Sequence, residues 1–356
     1  MTAKDPFDLK VLSDVLQIKY DTLRHWVRDS ILKIGSPEVQ RELHGNDLQT
    51  PKVCGCGGTV GVPVFRPEDV GEHMAVDEKY IKQEFYTILT NADTGRIAMM
   101  CRSIDYPTLV VALLRFGCET LDRVRVVTRD LSTTYESVCA MVFPDAVQTA
   151  DKFHVVMHLT KALQDYRVRL KKEAERQEKK AAKAHAQRYK ANAAKPAGER
   201  LPVRKKYRVP TLPNGETRAE MLHRCRYLLY KSPQDWNDGQ SRRAQLLFSY
   251  YPNLADAYEQ YIQFRRWYSP DPDCDKNLKD WQLSLWIKHA RELRQTPFNN
   301  FCSMLEANRD YVINYFDGLH TNAIAESTNA KIQLATIKNR GSRDLDFFLY
   351  RVANFL

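Results

Sequence analysis

The chain of 356 residues carries 54 Lys and Arg against 44 Asp and Glu, a net charge of +10, with 43% hydrophobic residues and eight Cys. That length supports two or three domains with a core able to fold unaided, and the composition excludes collagen-like, disordered and disulfide-scaffold classes. No run of about 18 apolar residues exists, which excludes a helical membrane span. The N-terminal MTAKDPFDLKVLSDV has no uncharged apolar stretch before a small-residue cleavage site, so a secretory signal is not expected and the cysteines are expected as reduced cytoplasmic thiols.

In chain order, residues 7–32 predict two short helices around a tight joint. Leu9, Leu12, Val15 and Leu16 precede the joint, and Leu23, Trp26, Val27, Ile31 and Leu32 follow at helical spacing. The pattern suits a helix-turn-helix exposing Arg24, His25 and Arg28 to DNA. Residues 34–72 are polar and rich in Gly and Pro, which predicts a linker. Cys54 and Cys56 lie in it, but with no second Cys pair they do not make a closed zinc site.

From residue 73 the pattern changes to strands. His73–Asp77 predicts a strand ending in acids, and Phe85–Thr90 and Arg96–Cys101 flank the turn sequence NADTG as a hairpin. A helix over 107–117, a strand over 124–128, a helix over 132–142, a strand over 147–150 and a helix from 153 follow. The order β-β-β-α-β-α-β-α predicts an α/β fold, a mixed sheet flanked by helices.

Tyr166–Tyr207 holds 15 Lys and Arg against four Glu, so the rest of the chain carries a net charge of only −1. Ala, Lys, Glu, Arg and Gln up to Pro196 predict a long basic helix, and Pro196, Gly198, Pro202 and Pro210 an extended strap after it. Such a run is either a solvated face or a surface for the phosphates of double-stranded DNA; on the second reading Lys171, Lys172, Lys179, Lys180, Lys205 and Lys206 make the contacts. Residues 217–316 are helical in character with four of the five Trp. Of these, Trp281 and Trp286 are candidates for stacking on an unpaired base or for the core. Two further helices are predicted, at Asn322–Thr336 and Asp344–Phe355.

Three acids stand out by position. Asp77 and Asp130 end strands that would lie side by side, and Glu326 shares a helix face with Asn322, Asn329 and Ala330. Three carboxylates open to solvent suit Mg²⁺ or Mn²⁺, and two such ions about 3.5–4 Å apart cleave phosphodiesters. Asp130, Asp145 and Asp151 are also placed to cap helices.

The strings MAVDE, VRVVTRDLSTTYES, FPDAVQTADKFHVV and HTNAIAESTNAKIQLATIKNRGSRDLDFFLYRVANF resemble the insertion-sequence DDE transposases of the ISL-three group, over residues 73–170 and 317–356. The resemblance implies an RNase H-like fold with Asp77, Asp130 and Glu326 as catalytic acids and ligands of two Mg²⁺ or Mn²⁺ ions, Asp151 being the alternative second acid. It implies strand cleavage at transposon ends and strand transfer into target DNA, in a homo-oligomer that pairs two ends, in the bacterial cytoplasm and at the nucleoid. Lys331, Lys338, Arg340 and Arg343 follow Glu326 as candidate phosphate contacts. The expected organisation is a helix-turn-helix (1–33), a linker (34–72), a catalytic domain (73–165 and 317–356) and a basic helix, strap and helical insertion (166–316). The family commonly opens with a Cys-rich zinc module, and with no four-Cys set here this copy is expected to lack it or to be truncated or diverged. The competing readings are a catalytically decayed DNA-binding regulator and a stand-alone RNase H-like nuclease.

Overall fold

The computed structural model describes residues 9–49, 58–269, 275–317, 323–338 and 344–355; Cys54 and Cys56 lie outside the described residues. In chain order the elements are α1 (Leu9–Leu16), α2 (Tyr20–Trp26), α3 (Pro37–His44), β1 (Leu48–Gln49), β2 (Thr59–Val60), β3 (Val64–Phe65), β4 (His73–Ile81), β5 (Glu84–Asn91), β6 (Ile97–Cys101), α4 (Tyr106–Leu114), α5 (Cys118–Leu121), β7 (Val126–Arg129), α6 (Thr133–Val142), β8 (Val147–Ala150) and α7 (Lys152–Ala193). Then come α8 (Arg218–Arg224), α9 (Asp238–Tyr250), α10 (Pro252–Trp267), α11 (Lys276–Glu292), α12 (Thr296–Ala307), α13 (Arg309–Asn314), α14 (Ala323–Lys338) and α15 (Leu345–Phe355). The chain divides into two compact units, one of residues 1–155, 271–276 and 308–356, the other of 156–270 and 277–307.

The first unit is built on a six-stranded mixed sheet of order β3-β6-β5-β4-β7-β8. β4, β5 and β6 form an antiparallel meander, whereas β7 lies parallel to β4 and β8 parallel to β7, as the intervening helices α6 and α4–α5 require of crossover connections. Val127, Met74, Val76, Leu89 and Met99 bury against α4 and α6 on one face. On the other, Ile81, Tyr86, Ile88 and Met100 join Leu9, Leu23, Val27, Val39 and Leu43 from the N-terminal helices and Ile332, Phe347 and Phe348 from α14 and α15. Such two-sided burial explains why β6 is a continuous apolar run rather than an alternating one, and why β5 is buried at every position from Tyr86 to Asn91.

Three expectations change. Asp77 does not end its strand: β4 continues to Ile81, because β5 keeps pairing with it through Asp77↔Ile88 to Ile81↔Glu84. The hairpin closes at Lys82 and Gln83, both at positive φ, a mirror-image turn that lacks its usual Asn or Gly signal. Residues 34–72 carry more than a linker, since Ser36 caps α3 by accepting from the Val39 N–H with Pro37 at the first helical position. The N-terminal helix pair forms where expected, but its apolar face is part of the sheet's core. Arg24 and Arg28 are consequently half-buried rather than exposed. Arg28 is held by Asp344 and Asp29, which leaves His25 as the outward-facing member of the three.

The second unit is helical around an aromatic core. Phe264 meets Trp286 and Phe301 edge-on, and Tyr258 stacks on Trp236 and Phe248. Trp286 is therefore core, with its indole N–H on the Gln260 carbonyl, while Trp281 is 61% exposed. The basic helix α7 runs unbroken from Lys152 to Ala193, and the strap after it has little regular structure. No described helix is long and apolar enough to cross a membrane, and the described cysteines Cys101, Cys118, Cys139, Cys225 and Cys302 are free thiols.

Candidate active site

The parallel pairing of β4, β7 and β8 sets the site. Val76 pairs with Arg129 and Arg129 with Ala150, so the next residue on each strand is an acid: Asp77, Asp130 and Asp151. Asp130 directly follows β7, the strand beside that of Asp77, and Asp151 directly follows β8, one strand further away.

Each carboxylate has a distinct setting. Asp77 is buried; its Oδ1 accepts from the Glu78 N–H at 2.8 Å, and its Oδ2 accepts from Asn329 Nδ2 at 2.6 Å and pairs with Lys79 Nζ at 2.8 Å. Asp130 is half-buried, and its Oδ1 accepts from the Ser132 N–H at 2.8 Å, an Asx turn that leads into α6 rather than a cap on it, since the N-cap is Ser132 and no side chain caps the helix. Burial raises the Asp130 carboxyl above the usual carboxylate range, the Ser132 N–H and His154 oppose this, and the charge of Asp77 adds to it. Asp151 is buried, accepts from the Phe153 N–H at 2.8 Å and faces His154 Nδ1 at 3.1 Å. That hydrogen bond raises His154 above the ordinary imidazole value against the effect of burial, and the charges of Asp151, Asp77 and Asp130 add to the rise.

Asn329 connects the sheet to α14, and so does Thr328, whose hydroxyl donates to the Gly95 carbonyl at 2.8 Å. Glu326 belongs to the same helix, three residues before Asn329, and its side chain lies outside the described residues, as do the Lys338 side chain, Arg340 and Arg343.

A family model described as transposase, that of the ISL-three DDE group, matches residues 74–352. The chain belongs to the ISL-three family of DDE transposases. It is 27% identical over 265 residues to the transposase for insertion sequence element IS1557 of Mycobacterium tuberculosis, in strain CDC 1551 / Oshkosh and again in strain ATCC 25618 / H37Rv. These matches take in 74% of this chain and 55% of each relative, so the chain spans about half the length of the curated relatives it matches. No solved structure matches significantly.

DDE transposases are expected to use divalent metal, and the donor chemistry fits. Asp77 and Asp130 offer hard oxygens of the kind Mg²⁺ prefers, and their mutual repulsion is of the sort a cation relieves. A carboxylate has about four acceptor positions, and Asp77 spends three on Glu78, Asn329 and Lys79. Among the described residues no three His, Cys, Asp or Glu side chains gather as a metal cluster, and the Glu326 carboxylate is not one of those residues.

Four further residues that the sequence did not single out stand at this candidate site. Lys79 is the counter-charge of Asp77. Glu78 is raised by burial and then by the charges of Asp130 and Asp77. His154 faces the acids from the start of α7. Arg129, fully buried, donates through Nη1 to the Asp130 carbonyl at 2.8 Å. His154 had a signal, the Asp-x-Phe-His string, and Asn329 had one in its shared face with Glu326. Of the expected DNA contacts, Lys172, Lys179, Lys180, Lys205, Lys206 and Lys331 are exposed, and Lys171 is half-buried with Glu175 at 3.3 Å.

Proposed function

We propose that this chain is the catalytic part of a DNA transposase in which Asp77, Asp130 and Glu326 act as a DDE triad on an RNase H-like sheet. The observation that carries the reading is the Asn329–Asp77 hydrogen bond of 2.6 Å: it ties the helix bearing Glu326 to the first acid, while β4–β7 pairing brings in the second. The strand order β6-β5-β4-β7-β8, with β5 antiparallel to the rest, supports the RNase H-like assignment.

Asp77, Asp130 and Glu326 would hold two Mg²⁺ or Mn²⁺ ions, which when bound make water a nucleophile at neutral pH and stabilise the leaving oxygen. The chain's own groups shape that site. Asn329 fixes one oxygen of Asp77, and Lys79 balances its charge. Arg129 anchors the backbone of Asp130. His154 is a donor to Asp151 and adds positive potential beside the acids. The reaction is hydrolysis of the phosphodiester at a transposon end, where water's oxygen bonds to phosphorus and the 3′ oxygen departs with a proton. The 3′-hydroxyl then displaces an oxygen from phosphorus in target DNA. DNA is the partner, and the pairing of two ends calls for a second copy of the chain.

The test is donor-strand cleavage in Mg²⁺ or Mn²⁺ by Asp77→Asn, Asp130→Asn and Glu326→Gln. Each is expected to lose cleavage by at least about a thousandfold while still binding end DNA. Cleavage at the wild-type rate in any of the three removes that residue from the triad; Asp151→Asn in parallel separates Asp130 from its rival.

A further inference from the structure

Helix α4, YPTLVVALL, carries no charged residue. A helix apolar on every side belongs in an interior, yet α4 has only one side in the core. Leu109, Ala112 and Leu113 are buried against the sheet, whereas Pro107, Val111 and Leu114, spaced i, i+4, i+7 on the opposite side, are exposed. Val111 is 55% exposed and Leu114 48%. Helix α6 lies beside α4 on the same face of the sheet and repeats the pattern, with Val138, Cys139 and Val142 buried and Ala140 and Met141 exposed. Its one charged residue, Glu136, accepts from the Tyr311 hydroxyl. The outer side of this helical layer is therefore an uncharged apolar surface, and such a surface marks a contact site. DNA is the wrong occupant, because affinity for it comes from cations set against phosphates.

We propose that this face binds the same face of a second copy, α4 against α4 in antiparallel sense. The charges at the two ends of α4 decide the occupant and the direction. Asp105 caps the N-terminus, its Oδ2 accepting from the Thr108 N–H at 3.4 Å and from the Thr108 hydroxyl at 3.0 Å. Arg115 closes the C-terminus, donating to the Asn46 carbonyl and lying over the Phe65 ring. Both charges remain exposed. A two-fold axis beside Val111 brings each copy's Asp105 toward the partner's Arg115, twice over, whereas a parallel arrangement would set like charges together. Antiparallel helices also oppose their dipoles favourably. The same axis places Val111 against its own equivalent and Leu114 against the partner's Pro107, the self-matching that a two-fold interface requires. Met141, on the neighbouring helix, has the unbranched side chain that fills uneven gaps. Choosing a second copy rests on the transposase reading, in which two ends are paired, but the surface itself makes no use of the acids on the sheet.

The experiment is sedimentation equilibrium of the full chain without DNA or metal, between about 1 and 50 μM. Wild type is expected to be a dimer at ~10 μM, since interfaces of standard size bind in the micromolar range or tighter. Val111→Asp and Val111→Lys, at a position already open to solvent, are each expected to weaken dimerisation about thirtyfold or more. Unchanged far-ultraviolet circular dichroism would show that both fold. Mixed in equal amounts, the two variants are expected to recover a heterodimer, because each substituted side chain then meets an opposite charge across the axis. A wild type that stays monomeric leaves the face to some other protein and overturns the proposal. A dimer that both variants keep overturns it too, by placing the seam elsewhere. A mixture that associates no better than its components overturns the two-fold pairing of α4. Normal cleavage by Asp77→Asn would remove the transposase chemistry and leave a measured dimer standing, so the two readings fail separately.

Discussion

Arg129 is a fully buried cation with three duties at once. Its Nε donates to Gln148 Oε1 at 2.6 Å, its Nη1 donates to the Asp130 carbonyl, and its plane covers the Tyr311 ring at 4.4 Å. Tyr311 in turn donates to Glu136 at 2.9 Å, so α6, β7, β8 and α13 meet around one guanidinium. Lysine cannot reproduce the fork. Arg129→Lys is expected to lower strand cleavage by about tenfold or more through a misplaced Asp130, and to raise the Mg²⁺ concentration giving half-maximal cleavage. A loss of thermal stability with an unmoved metal midpoint would show that Arg129 serves packing alone. Glu216 offers a residue-scale test in the other unit. Burial lifts its carboxyl, but hydrogen bonds from Arg224 and Asn214, and the charge and hydrogen bond of Arg243, bring it below the ordinary carboxylate value. A carboxyl lowered by folding adds stability that is complete above its unfolded value, about 4.3, and is lost as pH falls through the lower folded one. Glu216→Gln is expected to cost about 1–3 kcal/mol at neutral pH and to flatten the acid limb of the stability curve below pH ~4, measured by urea unfolding across pH.

At the scale of elements, the approach of α14 to the sheet turns on Gly95. It has φ +77, and a Cβ there would stand 2.9 Å from the Ile324 side chain and 3.0 Å from the Thr328 hydroxyl. Gly95→Ala combines a left-handed backbone with that clash, so about 1–2 kcal/mol of destabilisation is expected, with a larger proportional loss of cleavage because α14 carries Glu326. Thermal unfolding and cleavage measured on one preparation check it; equal losses in both would mean that α14 is not held by this contact. The β5–β6 hairpin was legible because Asn91 and Gly95 announce it, Asn91 Oδ1 accepting from the Asp93 and Thr94 N–H groups. The second half of β4 was not, since Lys82 and Gln83 turn the chain without a turn residue and Asp77 looks terminal. Asp77 and Asp130 were picked out as acids at the ends of strands, and although Asp77 lies inside β4, the β4–β7 register still sets the two positions side by side. Lys79, Glu78 and Arg129 could not be picked out, because their roles depend on which neighbours tertiary packing supplies.

Across the whole chain, charge is the feature that sequence alone made plain: one segment of 42 residues outweighs the net charge of the other 314. Within that segment the ion pairs are few and local, Lys171 with Glu175 and Arg176 with Glu173, and most of its cations are exposed. A surface of this kind either idles in water or condenses on a polyanion, and salt separates the two. Each phosphate neutralised on B-DNA contributes about 0.9 to the slope of log K against log salt. Replacing Lys172, Lys179, Lys180, Lys205 and Lys206 with Gln is therefore expected to weaken duplex binding and to reduce that slope by up to about 4.5, read by anisotropy between about 50 and 200 mM salt. Asp77→Asn, which removes a negative charge far along the sequence from the segment, is expected to leave the slope unchanged. A slope that is the same for the five-fold variant and the wild type would make the basic helix and strap a solvated face, and the phosphate contacts would then have to be sought elsewhere, beginning with Lys331.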